Sequence, residues 1–184
     1  METLVDIAPK DILLHHGPSK LLVDHYHWHQ PKVGIVASYQ VKDKDVIDHF
    51  GIFRGVDQIE SFAQAATCSC SVFLHCEKYN TTPQAIKDDF IITFISVGEV
   101  NFHNYLENGD TFICLGYITF YKFRQMVCSG RIYKVPSNLD LDDYFKNFDE
   151  NRLRSYDLSS DFVLICELNN ITGRALKKDL LKNR

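Results

Sequence analysis

Apolar and polar positions alternate loosely from Leu21 to Trp28, and a more continuously apolar run, V-G-I-V-A-S-Y-Q-V, follows from Val33 to Val41. This patterning predicts two strands joined by a turn near Gln30-Pro31. After the loop D-H-F-G-I-F-R-G the period changes. Val56, Ile59, Ala63, Ala66, Cys70 and Phe73 recur every three or four positions, one face of a long helix reaching about His75. Asp57 in its first turn complements the helix dipole. Asn80 to Pro83 breaks the pattern, and Phe90 to Val97 is again rich in strand-forming residues. N-G-D at Asn108 to Asp110 is a turn signal. Thr111 to Tyr121 and Met126 to Val135 read as two long strands around Lys122 to Gln125. Strands in runs beside a single segregated helix predict an α+β fold, an antiparallel sheet wrapped on one helix. The helix is apolar or small over much of its circumference, with Ala63, Ala65 and Ala66 joining the stripe, as a helix enclosed by a curved sheet requires.

Pro136 ends this unit. The rest differs in character: acidic from Asp140 to Glu150, strand-like at F-V-L-I-C from Phe162 to Cys166, and basic from Arg174 to Arg184. The expected organisation is therefore one domain over residues 1–135 and a C-terminal extension over 136–184, packed on that domain or on a partner subunit.

Composition narrows the class. The 184 residues carry 20 basic and 24 acidic side chains, a net charge of −4, and are 45% apolar. That suits one globular domain and argues against nucleic-acid binding, which rests on concentrated positive charge. No apolar run approaches the ~20 residues of a membrane span, and Met1 to Lys10 has no apolar core of a secretory signal. The six cysteines sit in apolar surroundings without paired spacing, so buried reduced thiols in a cytoplasmic protein are expected, rather than a zinc site or disulfides.

One ionisable group stands out. Glu60 lies in the second turn of the long helix beside Ile59 and Phe62, on or next to the apolar stripe. A carboxylate there is either a solvated edge residue or a group in a wet cavity, where burial tunes it for acid–base work. Gly55 opens the helix, where free backbone amides can polarise a carbonyl; the plainer role is a tight turn. His49 in the preceding loop is a second acid–base candidate. Phe50 and Phe53 are read as tunnel lining and Phe73 as core. His25, His27 and His29 alternate, which on a regular strand would turn all three to one face; a polar outer face is the expected reading, with no metal.

G-V-D-Q-I-E-S-F-A-Q-A at Gly55 to Ala65 resembles the central-helix motif of the hotdog-fold 3-hydroxyacyl carrier-protein dehydratases. I-L-L-H-H-G-P-S-K-L-L-V-D at Ile12 to Asp24 is similar to their entrance segment, D-H-F-G at Asp48 to Gly51 to their H-F-P-G, and F-H-N-Y-L-E-N-G-D at Phe102 to Asp110 to their late F…G-D turn. The resemblance spans Ile12 to Tyr133. It implies a hotdog fold and a homodimer, with the acyl chain of an acyl-CoA or acyl carrier protein in a tunnel at the dimer interface. No cofactor is implied beyond the coenzyme A or phosphopantetheine that carries the thioester. Glu60 and His49 take the catalytic positions of the resemblance, one from each subunit. Gly55, Val56 and Gln64 take the substrate-binding positions.

The loop departs from that pattern. The connection from His49 to Glu60 is roughly three residues shorter than in the family and lacks both of its prolines, a large change for a loop that must aim a side chain. The expectation is therefore an acyl-thioester-binding protein whose catalysis is weak or lost. The alternatives are an active dehydratase or a thioesterase using Glu60, and a regulatory module that kept the fold without the ligand.

Overall fold

The hydrophobic runs form seven strands in the computed structural model, which describes residues 3–122 and 124–180. In chain order they are β1 (His25–Gln30), β2 (Gly34–Gln40), β3 (Phe90–Ser96), β4 (Glu99–Phe102), β5 (Thr111–Lys122), β6 (Gln125–Val135) and β7 (Val163–Lys177). They make one antiparallel sheet in the order β1-β2-β5-β6-β7-β3, with β4 also pairing with β7. A long helix crosses its inner face: α-helical over Gly55–Phe62, π-helical over Ala63–Cys68, and α-helical again over Ser69–Tyr79. This is the α+β hotdog architecture, a curved sheet around one central helix.

Small residues set how closely helix and sheet approach. A Cβ at Gly116 on β5 would collide with the Cβ of Ala66, and one at Gly173 on β7 would lie 2.7 Å from Thr67 Cγ2. The main core fills this contact, with Phe62, Phe73, Ala65 and Cys70 meeting Tyr26, Phe112, Cys128 and Ile171. All six cysteines are buried free thiols, and burial pushes those of Cys68, Cys114 and Cys128 up to about 12. The π-helical turn widens the backbone beside the candidate carboxylate. There the Ser69 hydroxyl donates to the Gln64 carbonyl at 2.7 Å, and Tyr26 contacts the same hydroxyl at 2.7 Å. The helix runs past the expected His75 to Tyr79 and stops at Asn80, which adopts the left-handed conformation (φ 48°).

Two sequence expectations change here. The sheet does not stop at residue 135. β7 lies wholly within the expected extension, yet it joins β6 on one side to β3 and β4 on the other. Its apolar run looked isolated because all its pairing partners lie well upstream. Between β6 and β7, residues 136–162 fold over the outer face of the sheet. Leu141, Phe145, Phe148, Leu153 and Phe162 form a second core against Val36, Ile113, Leu115 and Tyr133. With both faces covered, β2 is buried from Gly34 to Tyr39, which explains its continuous rather than alternating pattern. Residues 181–184, the end of the basic stretch, lie outside the described residues, as do residues 1 and 2.

The second change is in β1. Its register shifts between Tyr26 and Trp28, so the strict alternation fails. His25 and His27 face outward, but Trp28 also turns to the outer core, against Phe148 at 5.5 Å between ring centroids. His29 turns inward, edge-on to Phe73 at 4.6 Å, with its Nδ1 accepting from the Leu4 amide. Burial pushes the His29 ring down to about 4.

Candidate functional site

Glu60 stands on the first α-helical segment, with its side chain 34% exposed. Gln64, one turn on and buried, donates from Nε2 to Glu60 Oε1 at 2.8 Å. The same nitrogen donates to the Lys20 carbonyl at 2.7 Å, and Gln64 Oε1 accepts from the Leu22 amide at 2.9 Å. Ser61 donates to the Leu22 carbonyl at 2.8 Å. These bonds strap the entrance segment across the helix. They also bring His16 Nε2 to 3.3 Å from Glu60 Oε1, while His15 Nε2 donates to the Phe90 carbonyl at 3.0 Å. His16 Nδ1 is buried without a hydrogen-bond partner.

The contact with the His16 ring holds the Glu60 carboxyl below its ordinary value; burial acts against this, and the Gln64 amide adds to it. Glu60 is therefore a carboxylate near neutral pH, an acceptor and a base rather than a proton donor.

Glu60 and His16 stand between two hollows. The inner one, about 180 Å³, runs beneath β3 and is walled by Ala63, Thr67, Cys68, Ile92, Phe94 and Gly173, with Gln64 at its head. The outer one, about 430 Å³, opens at the entrance segment beside Lys20, Lys44 and Phe53. Arg54 and Asp57 also line this mouth but engage one another, through contacts of 2.6 and 2.9 Å.

Of the residues expected at the site, Gln64 and Glu60 meet directly, and Phe53 reaches the outer hollow while packing on Tyr39 and Phe112. Gly55 and Val56 line neither hollow. The helix start is uncapped by a side chain, but a Cβ at Gly55 would lie 2.7 Å from the Phe102 ring, and Val56 is exposed. Gly55 is thus fixed by a close aromatic neighbour. Phe50 is almost wholly exposed, in a left-handed conformation (φ 54°) shared with Gly51 (φ 80°). His49 is exposed, and its Nδ1 donates to the Ile52 carbonyl of its own loop at 3.1 Å. Within this chain, then, the histidine at Glu60 is His16, not His49. Read from sequence, His16 has only a place in the entrance segment; the Gln64 strap that delivers it cannot be read from spacing.

Away from this site, His25, His27 and Asp142 bring donor atoms within 4.8 Å of one another, a set able to hold a metal ion. Their hydrogen bonds already account for the grouping. Asp142 Oδ1 lies 2.6 Å from His27 Nδ1 and 3.2 Å from His25 Nε2, and Ser38 contacts His27 Nε2 at 2.8 Å, which pins the outer excursion to β1.

No protein-family profile and no curated protein sequence matches the chain. Among solved structures, it is similar to a chain of the dehydratase heterocomplex ApeI:P from Xenorhabdus doucetiae, with a TM-score of 0.64, 13% identity and 95% of each chain covered. It also resembles an uncharacterized protein from Pyrococcus horikoshii (TM-score 0.49, 13% identity, 89% of this chain and 91% of that one). A third likeness is to a hypothetical thioesterase, solved with coenzyme A, from Streptococcus pneumoniae (TM-score 0.47, 10% identity, 92% and 95%). The first of these shares the fold; the other two are too distant to add to it.

Proposed function

We propose that this hotdog-fold chain binds acyl thioesters, carried on coenzyme A or on an acyl carrier protein. The thioester sits at Glu60 and the acyl group enters the inner hollow. The observation that carries this reading is the station of Glu60, a half-buried carboxylate at the point where an apolar-walled hollow meets a polar mouth bearing Lys20 and Lys44. A carrier's phosphates would face those ammonium groups while its acyl end faces Ala63, Cys68, Ile92 and Phe94. The likeness of fold to a dehydratase heterocomplex chain supports the same ligand class. An unfilled hollow beside Glu60 weighs against a module that has lost its ligand.

In this reading the protein is a homodimer paired along the free edge of β3. Ile91, Phe94, Ile95 and Val97 are each more than two-fifths exposed there, and an uncovered apolar edge invites pairing. Pairing also suits the size of the hollow. At about 180 Å³ it is smaller than the roughly 300 Å³ where ligand pockets of drug size begin, so a second wall is needed for anything beyond a short chain.

Catalysis is weak or absent in this reading. Dehydration of a 3-hydroxyacyl thioester needs one group to take the proton beside the thioester carbonyl and another to protonate the departing hydroxyl. His49 is held by its own loop, and Glu60 is kept ionised by His16, which is the wrong state for the proton donor. Hydrolysis would use Glu60 as a base towards water, but the amides at Gly55 and Val56 lie off both hollows. The contact of His16 with Glu60 favours a second reading in which these two residues form an acid–base pair within one subunit.

Calorimetric titration with acyl-CoA of graded chain length and with acylated carrier protein tests the proposal. Saturable binding weakened by Glu60→Lys is expected. No binding at any length would overturn it. Turnover of 3-hydroxyacyl or acyl thioesters that disappears in both Glu60→Gln and His16→Phe would establish the second reading.

A further inference from the structure

A larger hollow, about 1290 Å³, lies at the other end of the central helix. The fold gathers it from distant parts of the chain. Lys32 comes from the β1–β2 turn, Lys78 and Tyr79 from the last helical turn, Arg124 from the β5–β6 hairpin, and Arg174 and Lys177 from the end of β7. Lys122 is the sixth cation on its wall; Glu77 and Asp89 are its carboxylates.

Elsewhere six cations of the described residues are matched by a carboxylate, and Lys10, Lys20, Lys44, Lys87, Lys146 and Lys178, spread over several surfaces, are not. Arg54 pairs with Asp57, Arg131 with Glu167, Lys134 with Asp110 and Arg154 with Glu150. In the cleft, Lys32, Lys78, Arg124, Arg174 and Lys177 form no ion pair with a carboxylate among the described residues. Lys78 lies over the Tyr79 ring at 5.1 Å and Arg124 over the Phe90 ring at 5.1 Å, contacts that leave their positive charges unneutralised. The helix C-terminus accounts for a cation such as Lys78. It does not account for Arg174 and Lys177 on β7 or for Lys32 across the cleft. In a chain of net charge −4, such a concentration of unmatched positive charge is a field that an anion would relieve. The field reaches the wall: His75 is held below its ordinary value by burial and then by the charges of Arg124 and Lys78.

An aromatic surface adjoins these charges. Tyr79 is 57% exposed at the cleft, with the His75 ring at 4.5 Å behind it. We infer that the cleft binds a phosphorylated ligand of the nucleoside diphosphate class, with adjacent phosphates on Lys78, Arg124, Arg174 and Lys177 and the planar base against Tyr79. Guanidinium and ammonium groups bind phosphate oxygens through charge-assisted hydrogen bonds. From Glu60 to Lys78 the helix rises about 27 Å at ~1.5 Å per residue, so this site is separate from the Glu60 hollows and does not depend on the acyl-thioester reading. The same chemistry is offered by a free nucleotide and by the nucleotide end of coenzyme A.

The test is calorimetric titration of the full chain with ADP, coenzyme A, inorganic pyrophosphate and adenosine, at low and high salt. ADP is expected to bind at one saturable site, more weakly as salt rises, with pyrophosphate about tenfold weaker and adenosine undetectable. The Lys78→Glu/Arg174→Glu double variant changes two exposed side chains and should keep its thermal transition while losing at least about tenfold in ADP affinity. Arg154→Glu, which changes a cation on another face, should leave ADP binding unchanged. Coenzyme A matching ADP identifies the carrier as the source of the nucleotide, and ADP binding without coenzyme A identifies a free nucleotide. ADP binding equal in the wild type and the double variant would overturn the inference. So would saturable binding of polyglutamate or a short oligonucleotide without ADP binding, which would make the cleft a macromolecular surface.

Discussion

The two ends of the central helix carry charge in opposite ways. At the first end Glu60 is enclosed by partners that each have another task. Gln64 straps the entrance segment, His16 arrives on that segment, and Arg54 is occupied by Asp57. At the far end several cations meet without such partners. The near end is pre-organised around Glu60, and it selects by shape and by the few groups facing its hollows, Lys20 and Lys44 at the mouth among them. The far end is unbalanced, and its selectivity is for charge. The lesson is that a matched carboxylate and an unmatched basic cleft call for different ligands even on one helix.

Substitutions sharpen this contrast. The largest effect belongs to the packing that holds the near end. Phe62 is fully buried against Gly116 and Gly130, so Phe62→Ala should lower unfolding stability by about 3–5 kcal/mol in denaturant titrations. Gln64→Ala should follow. It leaves the buried Leu22 amide and the Lys20 carbonyl without their partner, a loss of about 1–3 kcal/mol by the same measurement.

His16→Phe should act more gently on stability, by under about 1 kcal/mol, because Glu60 is about a third exposed. It should also move a titration. The depressed Glu60 contributes stability that is fully present above the ordinary carboxylate range and is lost as pH falls through its folded value. Removing His16 raises that folded value, so the carboxyl resonance of Glu60 should titrate at higher pH in NMR and the Glu60 contribution should shrink. The smallest effect is expected at the far end. Arg174→Ala removes an exposed side chain with no carboxylate partner among the described residues and should shift stability by no more than about 0.5 kcal/mol. An effect at Arg174 as large as that at Gln64 would break the comparison.

What the sequence revealed follows the range of the interactions involved. The helix, Glu60 and Gln64 are legible because a three-to-four-residue period and a short motif are local. So are β2, β5 and β6, whose apolar runs are long. His16 meets Glu60 only after the entrance segment has been tied across the helix, and nothing in L-L-H-H-G-P reports that crossing. The cleft is less legible still. Lys32, Lys78, Arg124 and the pair Arg174 and Lys177 lie in four separated stretches, and nothing in any one of them reports that they meet in a common cleft. In β1 the alternation misleads because one irregularity after Tyr26 reverses the face of every later side chain. The outer core escaped because the excursion of residues 136–162 looks acidic, and its apolar side chains find their partners only on the finished sheet.

The late position of β7 has a consequence for how this molecule is made. Until residues near 177 have left the ribosome, β6, β3 and β4 have no neighbour on the side that β7 occupies, and the helix lies on half a cradle. Closure of the sheet must therefore wait for β7, which favours slow folding through distant contacts. During that wait the nascent protein offers open strand edges to anything passing, and a chaperone that shields them would have its greatest effect before β7 emerges.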